Sequence, residues 1–116
     1  MTKPDEEKMR REPLNDTLVL LRWKIGQLIE NESNINVFEL KRDIKDALDM
    51  CSEYMSPKEL ESFNPEDNLL RFLDIDSRFD VENINDANRL LDELKELNFM
   101  FLSPLIKHIQ PMGYRV

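Results

Sequence analysis

The sequence predicts an all-α fold: a compact single-domain multi-helix bundle of three longer helices and two or three short ones, with at most minor β structure. Three observations carry this. Apolar residues recur at helical spacing in several separate stretches. Only 2 of the 116 residues are glycine, too few for a fold rich in tight hairpins. Prolines at 57, 65, 104 and 111 each fall where one of those stretches starts or stops. A chain of this length makes one domain and buries a real core without staples.

The first helix centres on Leu14–Asn31. Leu14, Leu18, Leu21, Ile25 and Leu28 form one stripe, widened by Ile29. Trp23 falls about 180° from the centre of that stripe, with Val19 and Leu20 flanking it and Gly26 one turn on. A helix apolar on two sides is either buried between layers or sets its second side against another chain. Both readings stay open for Val19, Leu20 and Trp23, and tryptophan is favoured at interface hot spots. Residues 1–12 (MTKPDEEKMRRE) have mixed charge and no apolar face, and read as a flexible tail before a helical domain of 13–110. Pro13 suits the helix start, with Asn15 or Asp16 as cap.

Asn36 followed by Glu39 is a capping-box arrangement, and Ile35 with Leu40 fits a hydrophobic staple. The second helix follows to about Met55, with Leu40, Ile44, Ala47, Leu48, Cys51 and Met55 on one face. Arg42, Lys45, Asp46, Asp49 and Glu53 fall on the other. Ser56-Pro57-Lys58-Glu59 starts a short third helix with Leu60 and Phe63 as core residues. Asn64-Pro65 starts another, carrying Leu69, Leu70, Phe72 and Leu73. Residues 74–86 (DIDSRFDVENIND) read as an acidic turn region held down by Phe79, Val81 and Ile84. Asn83 or Asn85 then caps a helix through Ala87, Leu90, Leu91, Leu94 and Leu97. Residues 99–102 (FMFL) fit a helical turn or a short extended piece. Ser103-Pro104 signals a last short helix that ends before Pro111, and residues 111–116 form a C-terminal tail.

The net charge is −8, and it is uneven. Residues 59–96 hold twelve acids against Arg71, Arg78, Arg89 and Lys95, which accounts for the whole of that charge. Residues 97–116 contain no acid. A negative surface repels phosphate backbones, so direct nucleic-acid binding is disfavoured and a basic protein is the natural attractor. The single cysteine excludes an internal disulfide and fits a reducing compartment. With no signal-like start and no apolar run near 18 residues, the expectation is a cytoplasmic protein without a membrane contact.

Most catalytic chemistries find no support. Gly26 and Gly113 stand alone, so no phosphate-cradling loop is present. Cys51 and His108 are too few for a structural zinc site, and no local pattern pairs them as nucleophile and base. Cys51 reads as a small core hydrophobe. His108 reads as a surface or capping residue near a helix C-terminus. The acidic run from Asp74 departs from an EF-hand loop at Arg78, Phe79 and Asn85. The 24 acids supply carboxylate pairs without specificity and without a positioned nucleophile. No catalytic, cofactor or metal residue is therefore assigned.

The expected function is a non-enzymatic protein-binding module: a small acidic inhibitor, immunity-type or adaptor protein acting on a larger, basic partner. Its candidate partner-binding residues are Val19, Leu20 and Trp23, with Asp74, Asp76, Asp80, Glu82 and Asp86. The acid-free segment with Phe99, Phe101, Leu105, Ile106, Ile109 and Tyr114 either closes the core under the bundle or leaves part of itself exposed as a second docking patch. One alternative is a structural homo-oligomer, a homodimer pairing through Val19, Leu20 and Trp23. The other is a nucleic-acid mimic that blocks a DNA- or RNA-binding protein.

Overall fold

Burial of a single stripe on the first helix arranges the molecule. The computed structural model describes residues 4–31 and 36–110, the side chains of 4–10 excepted. Helix α1 (Pro4–Asn31) buries Leu14, Leu18, Leu21 and Ile25, each at most 1% exposed. Leu28 and Ile29 pack half-buried at its margin. Helix α2 (Val37–Tyr54) lies against one flank of α1, and helices α6 (Ile84–Leu97) and α7 (Ser103–Ile109) against the other. Arg22 and Lys24 mark those two flanks, being about 200° apart around the helix. Lys24 pairs with Asp43 of α2 at 3.0 Å, and Arg22 donates to Ser103 Oγ at 3.3 Å. Among the described residues every element is helical, so the all-α architecture holds.

The start of α1 differs from the sequence reading. The helix begins at Pro4, so residues 4–12 continue it instead of forming a separate tail. Pro4 followed by Asp5, Glu6 and Glu7 is a composition suited to a helix N-terminus and its dipole. Pro13 lies inside the helix and leaves the carbonyl of residue 9 without its amide partner. Asn15 and Asp16 lie mid-helix and cap nothing; Asn15 is 5% exposed, its Oδ1 without a partner among the described residues.

Asn36 caps α2 by accepting from the Glu39 amide at 3.0 Å. The reciprocal half of that box is replaced by a Glu39–Arg42 pair at 3.7 Å. The staple residue Ile35 and the tail 111–116 lie outside the described residues. Leu40, Ile44, Ala47, Cys51 and Met55 are buried and Leu48 packs beside them, as the apolar spacing requires. Ser56 and Glu59 complete a full capping box at the start of α3 (Pro57–Phe63). Asn64, at φ 50°, both ends α3 and caps α4 (Pro65–Leu69), a left-handed position that asparagine tolerates.

Beyond α4 the period changes. A 3₁₀ turn (Leu70–Asp74) leads into α5 (Ile75–Arg78), and Leu69, Phe72 and Ile75 are fully buried. Their spacing of three is the 3₁₀ repeat, in which side chains three apart eclipse. That repeat turns Leu70 outward, 46% exposed, where an α-helical reading places it in the core. Ile84 is also exposed, because it opens α6 and precedes the buried face of Leu90, Leu91, Leu94 and Leu97. Phe79 is buried as expected, with the guanidinium groups of Arg78 and Arg89 4.7 and 5.1 Å from its ring centre.

Residues 98–102 are neither extended nor a simple α-turn. They form a π turn (Asn98–Leu102) that joins α6 to α7 without a break, closed by the Ser103 amide on the Asn98 carbonyl. Pro104 explains it. Its missing N–H cannot serve the carbonyl of residue 100, and its ring crowds that carbonyl. One wider turn relieves both. Ser103 is accordingly helical, not a cap, and Asn98 Nδ2 donates to the Arg22 carbonyl at 3.2 Å.

One carboxylate ties three helices together. Glu59 accepts from Arg11 of α1 at 2.6 Å and from the Ser56 amide at 2.9 Å, and sits 2.7 Å from His108 Nε2 of α7. Partial burial raises its pKa, but the Ser56 amide, Arg11 and His108 together outweigh that and bring it from 4.5 to about 2. Because the folded value lies below the unfolded one, the stabilisation is complete above pH ~4.5 and lost as pH falls toward ~2. Glu59→Gln is expected to destabilise the protein by about 2 kcal/mol at pH 7. Urea unfolding of the two proteins at stepped pH should converge near pH 2; a constant difference across that window would remove Glu59 from this role.

Candidate functional site

The outer face of α1 carries two large exposed apolar side chains. Leu20 is 51% exposed and Trp23 58%, and at i, i+3 they share one ridge. Val19 sits beside them but packs half-buried against the core. Trp23 is therefore a surface residue, which settles the two-sided pattern of α1 against burial between layers.

Beside this ridge runs a groove between α1 and α2. It has two concavities of ≈ 300 and ≈ 360 Å³. Thr17, Leu20, Leu21 and Met50 line the first; Trp23, Gln27, Leu28 and Leu40 line the second. Asp43 lines both, and its pair with Lys24 forms the sill between them. The two helices run antiparallel, since the first concavity joins residues 17–21 of α1 to residues 43–50 and the second joins residues 23–28 to residues 36–43.

The walls of the groove are acidic. Asp43, Asp46 and Asp49, spaced by three along α2, line the first concavity, and Glu39 lines the second. Asp16 and Glu30 are exposed at either end of the Leu20–Trp23 ridge. Lys24 is the only basic residue lining either concavity among the described residues. The sequence reading placed Asp46 and Asp49 on a solvent face and gave them no role. Their spacing of three is visible in the sequence, but only the packing of α2 on α1 shows that this flank borders the groove.

The second group of candidate residues lies elsewhere. Asp76, Asp80, Glu82 and Asp86 line an open depression with Val37 and Phe79, while Asp74 is exposed outside it. Asn36, the cap of α2, and Glu39 line the concavity with Trp23, whereas Val37 and Lys41 turn to these acids. Among the described residues none lines both surfaces, and the candidate residues fall on two separate surfaces.

Several of these carboxylates are engaged locally. Asp76 takes Lys41 at 3.0 and 3.2 Å, and that hydrogen bond holds its carboxyl below the usual range. Asp86 accepts from the Asp80 amide at 2.9 Å and from Arg89 at 2.9 Å. Asp80 accepts from the Glu82 amide at 3.1 Å. The acids here build the turn between α5 and α6.

The acid-free segment mostly closes the core: Phe101, Leu105, Ile106 and Ile109 are buried. Phe99 and Met100 instead project from the π turn, 76% and 67% exposed. The Asn98–Arg22 bond sets that turn at the level of Trp23 along α1. Tyr114 lies outside the described residues. Cys51 is fully buried, and desolvation pushes its thiol up to about 12, so it behaves as a core hydrophobe. His108 joins Glu59 and lies 4.9 Å from the ring of Phe63. Among the described residues no helix is long and apolar enough to cross a membrane.

Compared with family models, with curated proteins and with solved structures, the chain matches none of them. Its own surface is what argues for a function.

Gly26 lies one turn beyond Trp23, and a Cβ placed there would meet no atom within 4 Å. Its φ is not positive, so nothing local requires glycine. Gly26→Ala is expected to raise stability by about 0.5–1 kcal/mol, by helix propensity alone. Urea unfolding reads this directly, and a destabilised variant would show that the space beside Gly26 is not open.

Proposed function

We propose that this chain is a non-enzymatic protein-binding module, a small inhibitor, immunity-type or adaptor protein that engages a larger basic partner through the outer face of α1. The carrying observation is the Leu20–Trp23 ridge, more than half exposed mid-helix and collared by acids. A long helix anchored on three sides does not need a tryptophan on its fourth. Tryptophan is the side chain that contributes most per residue when a partner desolvates it. The acids beside it add steering toward a positive surface.

The two alternatives are less well supported. A homodimer through Leu20 and Trp23 would press two acidic walls together, and like charges across an interface oppose association. A nucleic-acid mimic needs carboxylates free to imitate phosphates, yet Asp76, Asp80 and Asp86 are committed to Lys41, Arg89 and backbone amides. A cytoplasmic setting agrees with the one deeply buried thiol.

The test is an affinity pull-down from native lysate with wild type and Trp23→Ala, washed at ~50 and ~500 mM salt to separate screened from unscreened contacts. The reading expects a stoichiometric partner held by wild type and lost by Trp23→Ala, with unchanged circular dichroism and unfolding midpoint. A partner retained equally by a folded Trp23→Ala would overturn it.

A further inference from the structure

We infer that the groove between α1 and α2 takes a basic amphipathic helix of about three turns from the partner protein. The inference rests on the protein-binding reading and names what chemistry fills the site.

The first argument is shape. Two antiparallel helices leave a linear trough, and a third helix fills such a trough by ridge-into-groove packing. From Thr17 to Leu28 the trough runs roughly 16 Å at helical rise, which is three turns of an occupant. The two concavities, on either side of the Lys24–Asp43 sill, offer successive sockets along the trough for apolar side chains. Leu20, Leu21 and Met50 would receive one; Trp23, Leu28 and Leu40 would receive the other.

The second argument is charge complementarity. Asp43, Asp46, Asp49 and Glu39 line the trough against one lysine; that lysine is paired with Asp43, and Arg42, outside the trough, lies 3.7 Å from Glu39 and 3.8 Å from Asp43 in long, exposed contacts. Asp46 has no ion partner among the described residues, and the Asp49–Lys45 pair is exposed at 3.4 Å and therefore exchangeable. An occupant with lysine or arginine flanking an apolar stripe satisfies both the floor and the walls. A second copy of this chain does not, since α1 and α2 would bring acids to acids.

Trp23 is the single tryptophan of the chain, so its fluorescence reports occupancy without a label. The probes are three synthetic peptides of about 14 residues, long enough for the trough at helical rise. One is Leu/Lys with apolar residues at helical spacing, one has the same composition alternating with period two, and one is Leu/Glu with helical spacing. Titration into the full-length protein should give a saturable change in Trp23 emission with the first peptide only, weakening as salt rises. Asp46→Asn with Asp49→Asn should weaken it about three- to tenfold and flatten its salt dependence. Asp74→Asn with Glu82→Gln, equal in charge removed but outside the trough, should leave it unchanged.

Equal binding by the two Leu/Lys peptides, or equal weakening by the two double variants, would reduce the effect to bulk charge and overturn the inference. No saturable change with any peptide would overturn it as well, as would a concentration-dependent emission shift of the protein alone, which would assign the face to a second copy. These outcomes are separable from the wider reading: a partner captured through Trp23 with no response to the helical Leu/Lys peptide would leave the anchor standing and remove only the helix.

Discussion

The structure depends on burial of the Leu14–Leu18–Leu21–Ile25 stripe, which draws α2 to one flank of α1 and the α6–α7 arm to the other. Removing four large aliphatic side chains from water is worth several kcal/mol, on the scale of a small domain's whole stability. The polar ties add direction more than energy. Lys24–Asp43 fixes the α2 flank, Arg22 with Asn98 and Ser103 fixes the opposite one, and Glu59 gathers Arg11 and His108 at one end. With three sides engaged, the fourth side of α1 carries no structural duty, and that side holds Leu20 and Trp23.

The π turn shows how a local covalent constraint reaches the surface. Pro104 denies the helix one donor and crowds one carbonyl, and the wider turn that accommodates it swings Phe99 and Met100 outward. Asn98 then anchors the turn to α1 beside Trp23. Two exposed apolar pairs come to one level of the bundle through a proline that sequence patterning reads only as a helix start.

The helices were legible where periodicity and caps agree. Ser56 with Glu59, Asn83 before α6, and the α2 stripe from Leu40 to Met55 needed no tertiary information. The 3₁₀ stretch was misread because Leu69, Leu70, Phe72 and Leu73 also fit an α-period; only the further burial of Ile75 reveals a repeat of three. The beginning of α1 was hidden by the absence of an apolar face in residues 4–12, since periodicity finds helices only where they bury something. For the candidate site, Leu20 and Trp23 were legible as an anomaly of pattern. The acidic wall was not, because Asp43 and Asp46 acquire meaning only when α2 lies antiparallel to α1. The engagement of Asp76 by Lys41 was likewise invisible, the two being distant in sequence.

The central claim is that the outer face of α1 is an open surface kept for a partner of opposite charge, not a seam between copies of this chain. Light scattering on the purified protein at tens of micromolar tests it most directly, since acidic walls on both copies should repel at ordinary ionic strength. The account predicts a monomer of 13.8 kDa. A dimer that Trp23→Ala converts to monomer would contradict it.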